Sequence, residues 1–149
     1  MRDIICRGKD IKTGAWIEGA YYEHDTVKVC FVEDDPKTEF FIVCDGFCDW
    51  GLEPPITLKS VDPETIGQYT GLTDKNYKRI FEGDILKNAA CWLQFPQNAV
   101  VAFKNGSFGF TWERGSVEVF DAFPSVCNME YEVIGNIHDN PELLEAETL

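Results

Sequence analysis

Positive charge is scarce in this chain. Thirteen Lys and Arg stand against 26 Asp and Glu in 149 residues, a formal net charge of −13. Binding nucleic acid through its phosphates needs a concentrated basic surface, and the densest basic run, Lys75 to Arg79, holds only three cations. Nucleic-acid binding is therefore not expected. Solubility is the plainest consequence of the acid excess, and imitation of nucleic acid towards a basic partner is the other. Histidine is scarcer still, with His24 and His138 the only two. A Cys–His nucleophile pair has no marked candidate, the serines Ser60, Ser107, Ser116 and Ser125 lack a nucleophile-elbow context, and no glycine loop of the phosphate-binding kind is present. No apolar stretch approaches the length of a membrane span. The opening MRDIICRGKD has no apolar run long enough for a signal peptide, so a cytoplasmic location is expected and no membrane partner.

Six cysteines are present: Cys6, Cys30, Cys44, Cys48, Cys91 and Cys127. In a reducing compartment they are expected as thiols, and several sit in apolar runs, where Cys behaves as a small core residue. Cys44 and Cys48 are spaced like half of a zinc site, but the spacing is loose and both histidines are remote in sequence. A structural zinc site needs four ligands. No metal and no cofactor are expected.

What is plentiful is β-forming residue. Hydrophobic content of 44% and aromatic content of 13% argue for a packed core over disorder, and the length suits one domain or two small lobes sharing a core. Residues 3–7 and 15–22 flank a polar, Gly-containing connector, a hairpin signal. Both faces of the second run carry aromatics, so its buried face is not assigned, and Gly19 marks a bulge or a close backbone approach. Residues 26–32 and 39–44 read as strands, resembling an antiparallel pair around the turn at Pro36. Residues 45–55 (DGFCDWGLEPP) read as irregular. Phe47 and Trp50 are expected there to cap the core edge, with covering an opening between lobes as the alternative. Residues 56–61 re-enter an extended run.

Asp62 is a candidate N-cap with Pro63 at the first helical position, residues 66–70 look extended, and residues 71–78 read as a loop. A short apolar run at 79–81 leads to Glu82-Gly83-Asp84, a punctuation that enters a strand. Strands are expected at 85–87, 91–95 and 99–104, and Asn105-Gly106 is the strongest two-residue hairpin signal. Phe108, Phe110 and Trp112 alternate with Ser107, Gly109 and Thr111, as in a half-buried strand. Residues 116–124 fit either a strand or a short helix. Residues 131–137 read as a strand broken at Gly135, then Asn140-Pro141-Glu142 as the start of a terminal helical turn. The fold class is thus mainly β with short helical turns, α+β being the alternative. The expected division is an N-terminal antiparallel lobe over 1–60 and a C-terminal lobe over 61–149, unless the two form one compact domain.

Three segments resemble the YopX-like proteins of phages and prophages. These are Arg7-Gly8-Lys9-Asp10 through Thr13-Gly14-Ala15-Trp16-Ile17-Glu18-Gly19; Val61 through Asn76 (VDPETIGQYTGLTDKN) with Ile80-Phe81-Glu82-Gly83-Asp84-Ile85; and Val133-Ile134-Gly135-Asn136-Ile137-His138-Asp139-Asn140-Pro141-Glu142-Leu143-Leu144. They occur in the family's order and span nearly the whole chain. The resemblance implies phage or prophage origin in a bacterial host cell, an SH3-like, partly open barrel for the C-terminal lobe, and no established catalytic residues. Homo-oligomerisation suits such a protein.

Candidate site residues concentrate in the middle stretch. Glu82 and Asp84 are two apart, so on a strand they share a face. With Asp74 and Asp62 nearby in sequence they form the best acid cluster for a divalent cation. The competing reading is that Asp84 ties a turn and Glu82 is solvated. Gln68, Tyr69 and Thr70 form a candidate recognition strip beside a glycine, or hydrogen-bond the loops around them. No catalytic residue is assigned. The expected function is a non-catalytic protein-binding module with a protein partner; the alternative is a metal-dependent hydrolase or nuclease-type enzyme built on Glu82 and Asp84.

Overall fold

The computed structural model describes residues 3–27, 37–88, 98–114, 116–123 and 131–145. The chain is mainly β and its described strand pairs are antiparallel. It divides into two compact units, Ile4–Gln68 and Tyr69–Leu149 with Met1–Asp3.

The first unit is built on the expected hairpin of β1 (Cys6–Lys9) and β2 (Trp16–Asp25), in register from Cys6 opposite Gly19 to Lys9 opposite Trp16. The amide of Asp10 donates to the Ala15 carbonyl at 2.9 Å and that of Gly14 to the Asp10 carbonyl at 2.8 Å. Gly14 turns the chain at a φ of +69°, a conformation that favours glycine. β3 (Thr38–Asp45) lies between β2 and β4 (Ile56–Ser60), and β1 pairs on its other side with Gly67 and Gln68 at the start of β5 (Gly67–Thr73). The partner expected for residues 39–44 was the run at 26–32. β3 is instead paired with β2 and β4, and 28–36 lie outside the described residues.

Gly19 is a close approach: a Cβ there would run into the Val43 carbonyl oxygen. Among the described residues of this unit, Ile42 and Val61 are the fully buried apolar side chains. Beyond Ala20, β2 is exposed on both faces, Tyr21 and Tyr22 included. That is why alternation alone assigned no buried face. The expectation that Phe47 and Trp50 cap the core edge is overturned, since they are 90% and 105% exposed. They lie in the connector between β3 and β4.

In the second unit β5 continues and pairs with β6 (Arg79–Phe81), with an irregular register between Tyr69 and Thr73. β5 therefore runs through Gly71, Leu72 and Thr73, expected as loop; Gly71 at a φ of +88° absorbs the irregularity. A five-stranded sheet follows in the order β10-β9-β8-β7-β11, comprising β7 (Asp84–Asn88), β8 (Asn98–Lys104), β9 (Ser107–Arg114), β10 (Val117–Ala122) and β11 (Tyr131–Asn136). Among the described residues the order is linear, and no pairing joins β10 to β11 into a closed barrel. The hairpin at Asn105-Gly106 is as expected, with φ of +52° and +81°, the left-handed pair that such a two-residue turn demands. The stretch that fitted strand or helix, 116–124, is strand β10 as far as Ala122. The strand expected at 91–95 lies outside the described residues.

Ile80, Leu86, Ala99, Val101, Phe110, Tyr131 and Val133 form the core of this unit. Phe110 meets Phe123 edge-on at 4.4 Å and Tyr131 at 4.8 Å between ring centroids, and burying such a ring contributes about 1.5–3 kcal/mol. β9 is more enclosed than a half-buried strand. Gly109 and Thr111 are buried as well as Phe110, with β10 lying so close that a Cβ on Gly109 would strike the Asp121 carbonyl. At the end of the chain β11 shifts register between Val133 and Gly135, at the expected glycine break. The terminal turn is α1 (Glu142–Glu145), whose first bonds run from the Leu143 amide to the Asn140 carbonyl and from the Leu144 amide to the Pro141 carbonyl.

Candidate functional site

The candidate acids of the middle stretch are bound up with backbone amides. Asp74 is 1% exposed. Its Oδ1 accepts from the amides of Asn76 at 2.7 Å and Lys78 at 2.9 Å, and its Oδ2 from the amide of Val133 at 3.1 Å. Burial by itself would raise its pKa. The donated amides of Lys78, Val133 and Asn76 outweigh burial and hold the carboxyl below its usual value. Asp84 is equally buried, and its Oδ2 accepts from the Phe81 amide at 2.8 Å across the Glu82-Gly83 turn. Gly83 adopts a φ of +78°, donates its amide to the Val101 carbonyl and accepts from the Ile137 amide, each at 2.9 Å.

Thr70 Oγ1 donates to the Ile80 carbonyl and accepts from the Leu72 amide. Tyr69 is half-buried, its ring 5.6 Å from that of Phe81 and 5.7 Å from the Arg79 guanidinium carbon. Gln68 is half-buried and pairs with Cys6. Glu82 is half-buried in the turn. Among the described residues no three His, Cys, Asp or Glu side chains are grouped to hold a metal ion.

The three segments that carried the resemblance meet one another within the units. In the first unit Asp10 bridges Val61, the Lys9 amide donates to Thr65 Oγ1 at 2.9 Å, and the Asp62 amide donates to the Lys9 carbonyl at 2.9 Å. The expected N-cap is in place: Asp62 Oδ1 accepts from the Glu64 amide at 3.1 Å, with Pro63 opening a 3-10 turn over Pro63–Thr65. Asp10 Oδ1 accepts from the Lys12 amide at 2.7 Å, which lowers its pKa. A shallow depression of about 430 Å³ lined by Lys9, Asp10, Ile11, Gly14, Asp62 and Pro63 is thus bordered by carboxylates already capping their own turns. In the second unit the middle and last segments meet through Asp74 with Val133 and Gly83 with Ile137. Asn136 Oδ1 then accepts from the His138 and Asp139 amides. These residues tie one part of the chain to another.

A different surface went unassigned in the sequence. The hairpin of β3 and β4 exposes Phe47, Trp50, Leu52, Ile56 and Leu58, at 90%, 105%, 67%, 76% and 51%. Those exposures leave on the order of 700 Å² of largely apolar surface, taking about 150–250 Å² for each aromatic ring. The available signal was the interleaving of large apolar residues with Gly, Pro and acids in DGFCDWGLEPP, a pattern too irregular to bury them in a sheet.

Fold and site together define a mainly β protein of two units, joined internally by side chain-to-backbone bonds and exposing an apolar hairpin. The chain belongs to the YopX protein family, whose model matches residues 9–145. It is similar to a solved structure, protein EF1440 from Enterococcus faecalis, at 27% identity over 97% of this chain and 99% of that one, with a TM-score of 0.50. Comparison with curated proteins finds no match. Among the described residues no helix is long and apolar enough to cross a membrane.

Proposed function

We propose that this chain is a phage- or prophage-encoded, non-catalytic protein-binding module acting in the cytoplasm of a bacterial host. The observation that carries the reading is the exposure of Phe47, Trp50, Leu52, Ile56 and Leu58 along one hairpin, since large apolar side chains left in water mark contact surfaces. The fate of the acids points the same way. An enzyme built on Glu82 and Asp84 needs carboxylate oxygens turned towards substrate or metal, and Asp84 is buried with an oxygen on the Phe81 amide.

The test is affinity capture from a bacterial lysate with the whole chain immobilised, accompanied by melting curves with and without millimolar Mg2+ or Mn2+. A discrete, saturable protein partner and an unmoved Tm are expected. No captured protein, together with a metal-dependent rise in Tm that Asp84→Asn abolishes, would replace this reading with the enzymatic one.

A further inference from the structure

Among the described residues, no strand lies beyond β4 in the β3–β4 hairpin. The Gly46 amide donates to the Pro55 carbonyl at 2.7 Å, and the Val61 amide to the Phe40 carbonyl at 3.0 Å. Along an antiparallel pair, hydrogen-bonded and non-hydrogen-bonded residue pairs alternate. In the register of Asp45 opposite Ile56 and Val43 opposite Leu58, Ile56, Leu58 and Ser60 therefore turn their backbone groups away from β3. The Ser60 carbonyl is taken by the Ile11 amide at 3.0 Å. The N–H and C=O groups of Ile56 and Leu58 remain on the outer edge, and among the described residues no strand pairs there. Natural sheets usually protect such an edge with Lys, Pro or a covering segment. Here the two outward residues are apolar and half or more exposed.

Charge selects what fits the edge. From Thr38 to Leu58 the chain carries Glu39, Asp45, Asp49 and Glu53 and no Lys or Arg; Lys37, 3.8 Å from Glu39, and Lys59 border that span. Asp45, Asp49 and Glu53 are exposed among the apolar side chains of the hairpin. A second copy would bring the same acids against these, on a chain already at −13. A basic segment meets them favourably, and like-charge contact is what such a rim rejects.

We propose that the outer edge of β4 receives an extended, basic segment of another protein as an added strand. Its apolar side chains lie against Ile56, Leu58 and Trp50, and its cations face Asp45, Asp49 and Glu53. This rests on the protein-binding reading and names its surface and partner chemistry. Main-chain bonds supply affinity and alternate side chains supply specificity, as in strand addition generally.

The test uses three labelled twelve-residue peptides titrated against the whole chain: alternating Lys and Val, alternating Glu and Val, and the Lys–Val peptide N-methylated at alternate residues along its pairing edge. The Lys–Val peptide is expected to bind. The Glu–Val and N-methylated peptides are each expected to bind more weakly by about tenfold or more. Trp50→Ala and Leu58→Lys, both on exposed side chains and checked by circular dichroism, are expected to weaken Lys–Val binding by a similar factor. Asp45→Asn with Asp49→Asn is expected to reduce its salt dependence.

Equal binding of the N-methylated peptide, or binding indifferent to Leu58→Lys, overturns the strand edge in favour of diffuse attraction to an acidic surface. Absence of binding overturns the proposal as well; if light scattering then shows a dimer that Leu58→Lys dissociates, the occupant is a second copy. A lysate partner captured equally well by the Leu58→Lys chain leaves the protein-binding reading standing and removes this surface from it.

Discussion

The amide of Val133 donates to Asp74 Oδ2 across 59 residues of sequence, at 3.1 Å. One carboxylate thereby orders the loop from Asp74 to Lys78 and fastens it to β11, beside an ion pair of Lys75 with Glu132 at 2.5 Å. Such a group is costly to remove, because three amides lose their acceptor and one of them, that of Val133, lies in the buried interior. Asp74→Ala is expected to lower stability by about 3–5 kcal/mol in chemical denaturation, whereas Glu132→Ala, on the exposed side of the same junction, should cost under about 1 kcal/mol.

The same carboxylate gives stability a pH dependence of definite sign. Its pKa is held below the ordinary aspartate value in the folded chain. Its contribution is therefore fully present above the unfolded pKa and is lost as pH falls through the folded one. Denaturation midpoints measured from neutral pH downwards should fall below about pH 4. In Asp74→Asn this acid-induced loss should be shallower, from a lower starting stability. Asp10, also lowered in pKa by the Lys12 amide, contributes with the same sign.

Gly19 and Gly109 permit two strands to approach a neighbouring carbonyl, that of Val43 in one case and Asp121 in the other. Gly19→Ala and Gly109→Ala should each destabilise the chain by about 1–3 kcal/mol, since backbone must move to admit the methyl group. Gly51→Ala tests the other condition: open space surrounds that residue but its φ is +86°, so the strain alone should cost about 1 kcal/mol.

Trp50 is fully exposed and Trp16 is covered by Arg7, whose guanidinium carbon lies 4.6 Å from the ring centroid. Trp50→Phe should remove a red-shifted, readily acrylamide-quenched component of the intrinsic fluorescence. It should change stability by no more than about 0.5 kcal/mol. Trp16→Phe should leave that component in place.

Much of the architecture was legible because it is written in local chemistry. The Asn105-Gly106 turn, the Asp62-Pro63 cap, the break at Gly135 and strands β7, β8, β9 and β11 each follow from the conformational preferences of a few adjacent residues. The second candidate role of the middle acids was legible too, since Asp74 and Asp84 sit where turn carboxylates bond nearby amides. Other features were not. Both sides of β9 are enclosed because β10 and the core rings cover them, and β3 chose β2 and β4 over a nearer run. Exposure of Phe47 and Trp50 runs against the usual tendency of aromatics to pack.

The sequence by itself determined a mainly β chain, its excess of acidic residues and the three segments that mark its family, because composition and turn chemistry act over a few residues. Only the tertiary structure decided that these segments bond to one another, as at Lys9 with Thr65 and Asp74 with Val133, and that an apolar hairpin stays outside the core. Those outcomes depend on which distant backbone groups come within hydrogen-bond reach once the strands have paired, and no local preference encodes that.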